Sequence, residues 1–210
     1  MTDHDAAPPA DLETTLDFVN TTGLAHGQPF DEFATTRQAI DWLHLRTGLH
    51  PTAVADSPVV LDRVRRVRTA FRELWDSTVD GRPPAPAAIR AVNQVLRHRS
   101  VLELSPDRGQ PSQPGQPVLQ LASRFTGDEV DCALAELAEP LVRAIGGADA
   151  ARARICANDT CRWAFFDDSR THRRRWCEMS SCGNRAKAAR HRARMRAADQ
   201  SGVTSPERPG

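Results

Sequence analysis

The chain has 210 residues, 40% hydrophobic and 26% charged, the balance of a globular protein with room for one fair-sized domain and a small appended module. No apolar run approaches the roughly 18–20 residues that span a bilayer, and no basic-then-apolar leader opens the chain, so a membrane protein is excluded and a cytoplasmic one expected. The net charge of +1 hides a polarity: residues 1–150 carry 14 Lys+Arg against 21 Asp+Glu, whereas residues 151–210 carry 14 against 6, the footprint of a module that meets a polyanion.

Residues 1–10 are polar and proline-containing, and disorder is expected there. Asp11 to Thr21 carries Leu12, Leu16, Phe18 and Val19 in a spacing that fits helix or strand, and Gly23 and Gly27 open a loop. Asp31 to Thr47 reads as a helix, with Asp31 as its cap, Phe33, Ile40 and Leu43 as its apolar stripe, Trp42 beside that stripe and Gly48 as its stop. Ser57 and Pro58 form an N-cap and first helical position. From there Val60, Val64, Val67, Phe71, Leu74 and Trp75 recur at helical spacing up to Gly81. Arg63, Arg66, Arg68 and Arg72 lie off that stripe, as a solvated face or as a pocket for an anion.

Ala87 to His98 is a further helix, with Ile89, Val92 and Leu96 facing inward. Val101–Leu104 and Pro117–Leu121 read as two strands joined by a long loop over Ser105–Gln116, and such a hairpin must lie against the helices. Gly127 to Ile145 carries Val130, Leu134, Leu137 and Leu141 on one stripe, and Pro140 should kink or split it near Glu139. Cys132 reads as a small buried residue. Gly146 and Gly147 mark a boundary, and Ala148 to Arg154 reads as helical again.

The remaining four cysteines, Cys156, Cys161, Cys177 and Cys182, are spaced C-x4-C-x15-C-x4-C. Two thiolate pairs, each on a tight turn, supply the four ligands of a tetrahedral site, and one structural Zn2+ is the cofactor expected. Disulfides and an iron–sulfur cluster are the rival readings of four cysteines. Arg162–Phe166 and Arg173–Trp176 are expected to pair as a hairpin about a turn at Asp167–Arg170. Trp176 should cover the metal, with Trp163 and Phe165 filling the small core. A helix follows over Arg185–Ala198, completing a treble-clef-like plan whose stability depends on the metal. His172 and His191 are read as facing solvent or phosphate.

At about 100° per residue, Ala186, Ala189, Ala193 and Ala197 line one narrow stripe of that last helix. Arg185, Arg192 and Arg196 flank it on one side, Lys187, Arg190 and Arg194 on the other. Small residues allow close approach to a groove while the flanking cations reach its phosphate walls. Arg173, Arg174 and Arg175 form a second basic cluster. The alternative is that the alanines pack against the rest of the protein and the arginines are solvated. Asn184 is read as a cap.

The run from Arg170 to Met179 (RTHRRRWCEM), followed by Cys182-Gly183-Asn184-Arg185-Ala186-Lys187, resembles the CGNR zinc finger, and Leu16–Thr21 (LDFVNT) resembles the opening of the ABATE domain, described as a stress-induced transcription regulator. The resemblance implies a bacterial DNA-binding regulator whose N-terminal domain senses a small-molecule effector or forms a homodimer. Phe18, Asn20, Trp42 and Arg72 are the candidates for an effector pocket. The expected fold is a mainly α domain with a small β-hairpin over residues 11–147, then a four-cysteine finger with a basic helix over 152–198 and a disordered tail over 199–210. No P-loop, G-x-S-x-G or H-E-x-x-H is present and four cysteines leave no open metal position, so an enzyme is not expected. A zinc-bearing RNA- or ribosome-associated protein and a protein-interaction adaptor are the alternatives.

Overall fold

In the computed structural model, residues 11–47, 49, 56–98, 100–106 and 119–201 are described. The first helix, α1 (Leu12–Asn20), starts where the Asp11 carboxylate accepts the Thr14 N–H at 2.8 Å. This cap resolves the helix-or-strand ambiguity. A hairpin then replaces the expected loop: β1 (Thr22–Ala25) pairs antiparallel with β2 (Gln28–Asp31). His26 and Gly27 at its tip have φ of 54° and 82°, the left-handed conformations that a two-residue turn demands.

Asp31 does not cap the next helix. It ends β2, and its carboxylate receives two bonds from Arg68, at 2.9 and 2.6 Å. The cap of α2 (Thr36–Arg46) is Thr35, which exchanges a capping box with Gln38.

The longest element, α3 (Pro58–Asp80), spans about 35 Å. It begins at Ser57-Pro58 and ends at Gly81, whose φ is 65°. Its buried face includes Val64, Val67, Phe71, Leu74 and Trp75. Phe18 is fully buried against Phe33, Trp42 and Phe71, with ring centroids 6.0, 5.5 and 5.7 Å away. Each such buried ring contributes about 2–3 kcal/mol. Three of the four arginines off the stripe form neither a solvated face nor an anion pocket. Arg68 is 3% exposed on Asp31 and the Thr21 hydroxyl, Arg63 donates to Asp128 and Asp131, and Arg72 pairs with Asp76. Arg66 is exposed.

In α4 (Pro86–Val95), Ala88, Val92 and Val95 face inward, whereas Ile89 is 41% exposed. The expected Ile89–Val92–Leu96 stripe was therefore rotated from the observed one. β3 (Ser100–Pro106) and β4 (Leu119–Phe125) pair antiparallel from Ser100↔Phe125 to Pro106↔Leu119, longer than the strands expected. Most of the expected loop between them, 107–116, lies outside the described residues, as do 1–10 and 202–210.

Helix α5 (Glu129–Gly146) is capped by Asp128 and continues through Pro140 without splitting. It packs on α1, α3 and α4, and Leu134, Leu137, Ala138 and Leu141 are all fully buried. That packing outweighs the missing proline N–H. Cys132 is 1% exposed, and burial pushes its thiol pKa up.

A 3-10 turn (Ala148–Arg152) leads into β5 (Ala153–Ile155), which pairs with β6 (Ala164–Phe166) in the register Ala153↔Phe166 to Ile155↔Ala164. The hairpin partner is thus 153–155, not 173–176. The reason lies at Asp167, which is fully buried. Its carboxylate accepts the Ser169 N–H and hydroxyl and the Arg174 N–H, so the chain after β6 wraps around it instead of returning as a strand. Burial pushes this carboxyl up, but the Ser169 and Arg174 bonds more than offset it and hold its pKa below the ordinary value. The last element, α6 (Asn184–Ser201), follows a π-helical turn over Met179–Gly183.

Candidate metal centre and basic helix

The first thiol pair sits on the turn between β5 and β6. Cys156 donates its N–H to the Trp163 carbonyl at 2.8 Å, and Cys161 donates to the Asn158 carbonyl at 2.8 Å. Arg162, with φ of 61°, turns the chain back into β6. Cys177 precedes the π-helical turn and Cys182 lies within it. An added Cβ at position 183 would lie 2.3 Å from the Sδ of Met179, whose half-exposed side chain would have to swing away.

The four sulfurs lie within 4.8 Å of one another. Cys161–Cys177 is 3.7 Å and Cys177–Cys182 is 3.8 Å. A tetrahedral zinc with Zn–S bonds of about 2.3 Å requires sulfur–sulfur edges of about 3.8 Å, whereas a disulfide needs about 2.05 Å. All four thiols are free. The donor set therefore fits zinc.

Crowding four sulfurs together disfavours their thiolate forms. Burial, then neighbouring thiols, pushes Cys177 far up and Cys161 up to about 11. Cys182 is also pushed up by burial, but the Asn158 amide at 3.3 Å and the neighbouring thiols hold it at about 7. A dication stabilises the thiolates that crowding disfavours. Four sulfurs close the shell, so the zinc is structural. Arg185 reaches the Cys182 sulfur at 3.7 Å, and Phe165 and Trp176 cover the cluster. Trp163, expected in this small core, is 39% exposed instead.

The eight residues expected to touch nucleic acid separate into two groups. Arg174 is built into the finger: it holds the Trp176 and Cys177 carbonyls, pairs with Asp168 and lies 5.1 Å over the Phe165 ring. Arg185 bonds His26 at 3.1 Å. Arg173, Arg175, Lys187, Arg190, Arg192 and Arg194 are exposed. Arg175 and Arg190 lie 5.3 and 5.9 Å from the Trp176 ring. From Lys187 to Ala197 every residue of α6 is exposed, so Ala189, Ala193 and Ala197 line a solvent-facing stripe. Asn184 donates to the Ser180 carbonyl. His172 and His191 are both exposed.

The candidate effector residues are not gathered in one pocket. Phe18 and Trp42 belong to the aromatic core. Asn20 and Arg72 hold the finger. The Asn20 amide, 6% exposed, donates to the Ala164 carbonyl and accepts the Ala164 N–H, both at 2.9 Å. Arg72 donates to the Arg162 carbonyl at 2.9 Å. Trp75 Nε1 to the Arg154 carbonyl and the Gly27 N–H to the Thr160 carbonyl complete the joint. Trp75 and Gly27 escaped sequence reading because their partners are backbone groups, which carry no side-chain signature. A polar Asn20 ending a buried apolar run is the one available hint.

Residues 12–148 match the ABATE family model, described as "Putative stress-induced transcription regulator", and residues 152–195 match that of the CGNR zinc finger. No curated protein matches the chain. No helix among the described residues is long and apolar enough to cross a membrane.

Proposed function

The chain belongs to the ABATE family and ends in a CGNR zinc finger, and from that premise we propose that it is a DNA-binding transcription regulator rather than an enzyme. One contrast carries the reading. In the body, most arginines sit against carboxylates, as Arg37 on Asp41, Arg63 on Asp128, Arg68 on Asp31 and Arg82 on Glu73, and only Arg66, Arg90 and Arg97 are exposed without an ion pair among the described residues. In α6, Lys187, Arg190, Arg192, Arg194 and Arg196 are exposed, and among the described residues none forms an ion pair. Unpaired cations along the exposed stretch of α6 from Lys187 to Ala197, about 16 Å long, suit a polyanion. The stripe of small residues between them suits close approach to a groove floor.

In this reading zinc aims α6. The ion joins the turn of Cys156 and Cys161 to the pair that launches the helix, and the joint at Asn20, Arg72 and Trp75 ties that turn to the body. The body is the regulatory part, taking an effector or a second copy of the chain. Competition binding of the full chain with duplex DNA and structured RNA tests the reading, together with recovery of bound chromosomal DNA from cells, repeated with Cys177→Ser. Preference for duplex DNA, lost on substitution, is expected. Preference for RNA, or recovery that survives Cys177→Ser, would overturn it.

A further inference from the structure

A cleft of about 370 Å³ runs along the seam between α1 and the finger, within the size range of small-molecule sites. Its lining is unlike that of the basic helix nearby. Leu16 and Phe165 give it an apolar floor, and Trp163 forms part of the finger-side wall. Trp163 is 39% exposed, whereas the two residues that follow it, Ala164 and Phe165, are buried. Around the floor lie Glu13, Asp17 and Asp168, with Arg174 the one cation in the lining.

The Arg174 guanidinium is occupied by the Trp176 and Cys177 carbonyls and by Asp168. Asp17 meets Arg46 at 3.1 Å, with both side chains nearly half exposed. Glu13 is exposed and forms no ion pair among the described residues. The cleft thus combines an accessible indole, an apolar floor and surplus negative charge. An anion is repelled there, and a neutral apolar molecule gains nothing from the carboxylates. A cation with an apolar body satisfies both, through cation–π contact and a charged rim.

We propose that this cleft binds a small organic cation, an aryl- or alkylammonium, with its charged head at Glu13 and Asp17 and its apolar body against Trp163 and Leu16. The proposal rests on the reading of the body as a sensor and is independent of DNA contact. Asn20 lines the same cleft and holds Ala164, so an occupant lies against the joint between body and finger.

The test is a titration of the zinc-loaded full chain, without DNA, followed by the NMR resonance of the Trp163 indole N–H. The probe is phenethylammonium, and phenylacetate is the control of similar shape and opposite charge. A saturable shift with a dissociation constant of about 1–10 mM is expected, ordinary for so small a fragment, with no shift from phenylacetate. Glu13→Gln with Asp17→Asn should weaken binding at least about tenfold, since it removes the two carboxylates assigned to the charged head and leaves only Asp168, which Arg174 already pairs. An unchanged urea midpoint for that variant shows that the fold is kept. Equal response to both probes, no saturable shift at Trp163, or unaltered affinity in the double variant would overturn the proposal. Because DNA is absent from the titration, failure here leaves the DNA reading standing, and failure of DNA binding leaves this site standing.

Discussion

Replacing Arg190, Arg192 and Arg194 together by alanine is the sharpest perturbation of the basic helix. Five exposed α6 cations, Lys187, Arg190, Arg192, Arg194 and Arg196, touch no carboxylate among the described residues. If each neutralises one phosphate, the logarithm of the binding constant falls against the logarithm of salt with a slope of about −4.5. Between about 50 and 200 mM salt the affinity then drops about 500-fold. With three contacts removed the slope falls to about −1.8 and the drop to about 12-fold. Arg173 and Arg175 would add the same term to both proteins, so the difference in slope, about 2.7, is the quantity to read. Alanine favours helix more than arginine does, so α6 itself should persist. Fluorescence anisotropy of a labelled duplex at several salt concentrations measures both slopes. A slope unchanged by the triple substitution would refute the argument that α6 carries the contact.

Metal analysis of the purified chain should find one zinc, and Cys182→Ser should lose it and destabilise residues 152–195, as read by protease susceptibility of the finger. Asn20→Ala leaves the buried N–H and carbonyl of Ala164 without their partner, costing about 2–4 kcal/mol in urea denaturation, and a loss below about 0.5 kcal/mol would show that the joint is unimportant. Arg68→Ala is expected to cost about 2–3 kcal/mol, less than for a fully buried pair because the Asp31 side chain is 33% exposed. Asp31 is pushed up by burial but held below its ordinary pKa by the Arg68 and Phe33 bonds. A depressed folded pKa contributes stability above the unfolded carboxylate value, and that stability is lost as pH falls through the folded value. Stability should therefore fall below about pH 4, less steeply in Asp31→Asn than in the parent.

The metal centre was legible because its signal is local. Two pairs of cysteines on short turns state their chemistry through spacing alone, and the sulfurs meet as that spacing requires. Helix α3 was legible for a similar reason: its apolar repeat, proline start and glycine stop all lie within the segment. The Asp31 cap and the hairpin partner of β6 were misread because each has a local and a distant competitor. Asp31 precedes a helix, but Arg68, thirty-seven residues away, claims it.

What the amino-acid order determined unaided was therefore the zinc ligand set, the mainly helical body and the excess of cations toward the carboxyl end. Only tertiary structure decided which arginines are free and which are consumed. Arg68 and Arg174 look like any other arginine in sequence, yet one is buried on Asp31 and the other braces the finger. Tertiary structure also placed Asn20 against Ala164, 144 residues later, and so joined body to finger. Periodicity and ligand spacing depend on neighbours along the chain, whereas pairing of charges and backbone groups depends on which surfaces meet after folding.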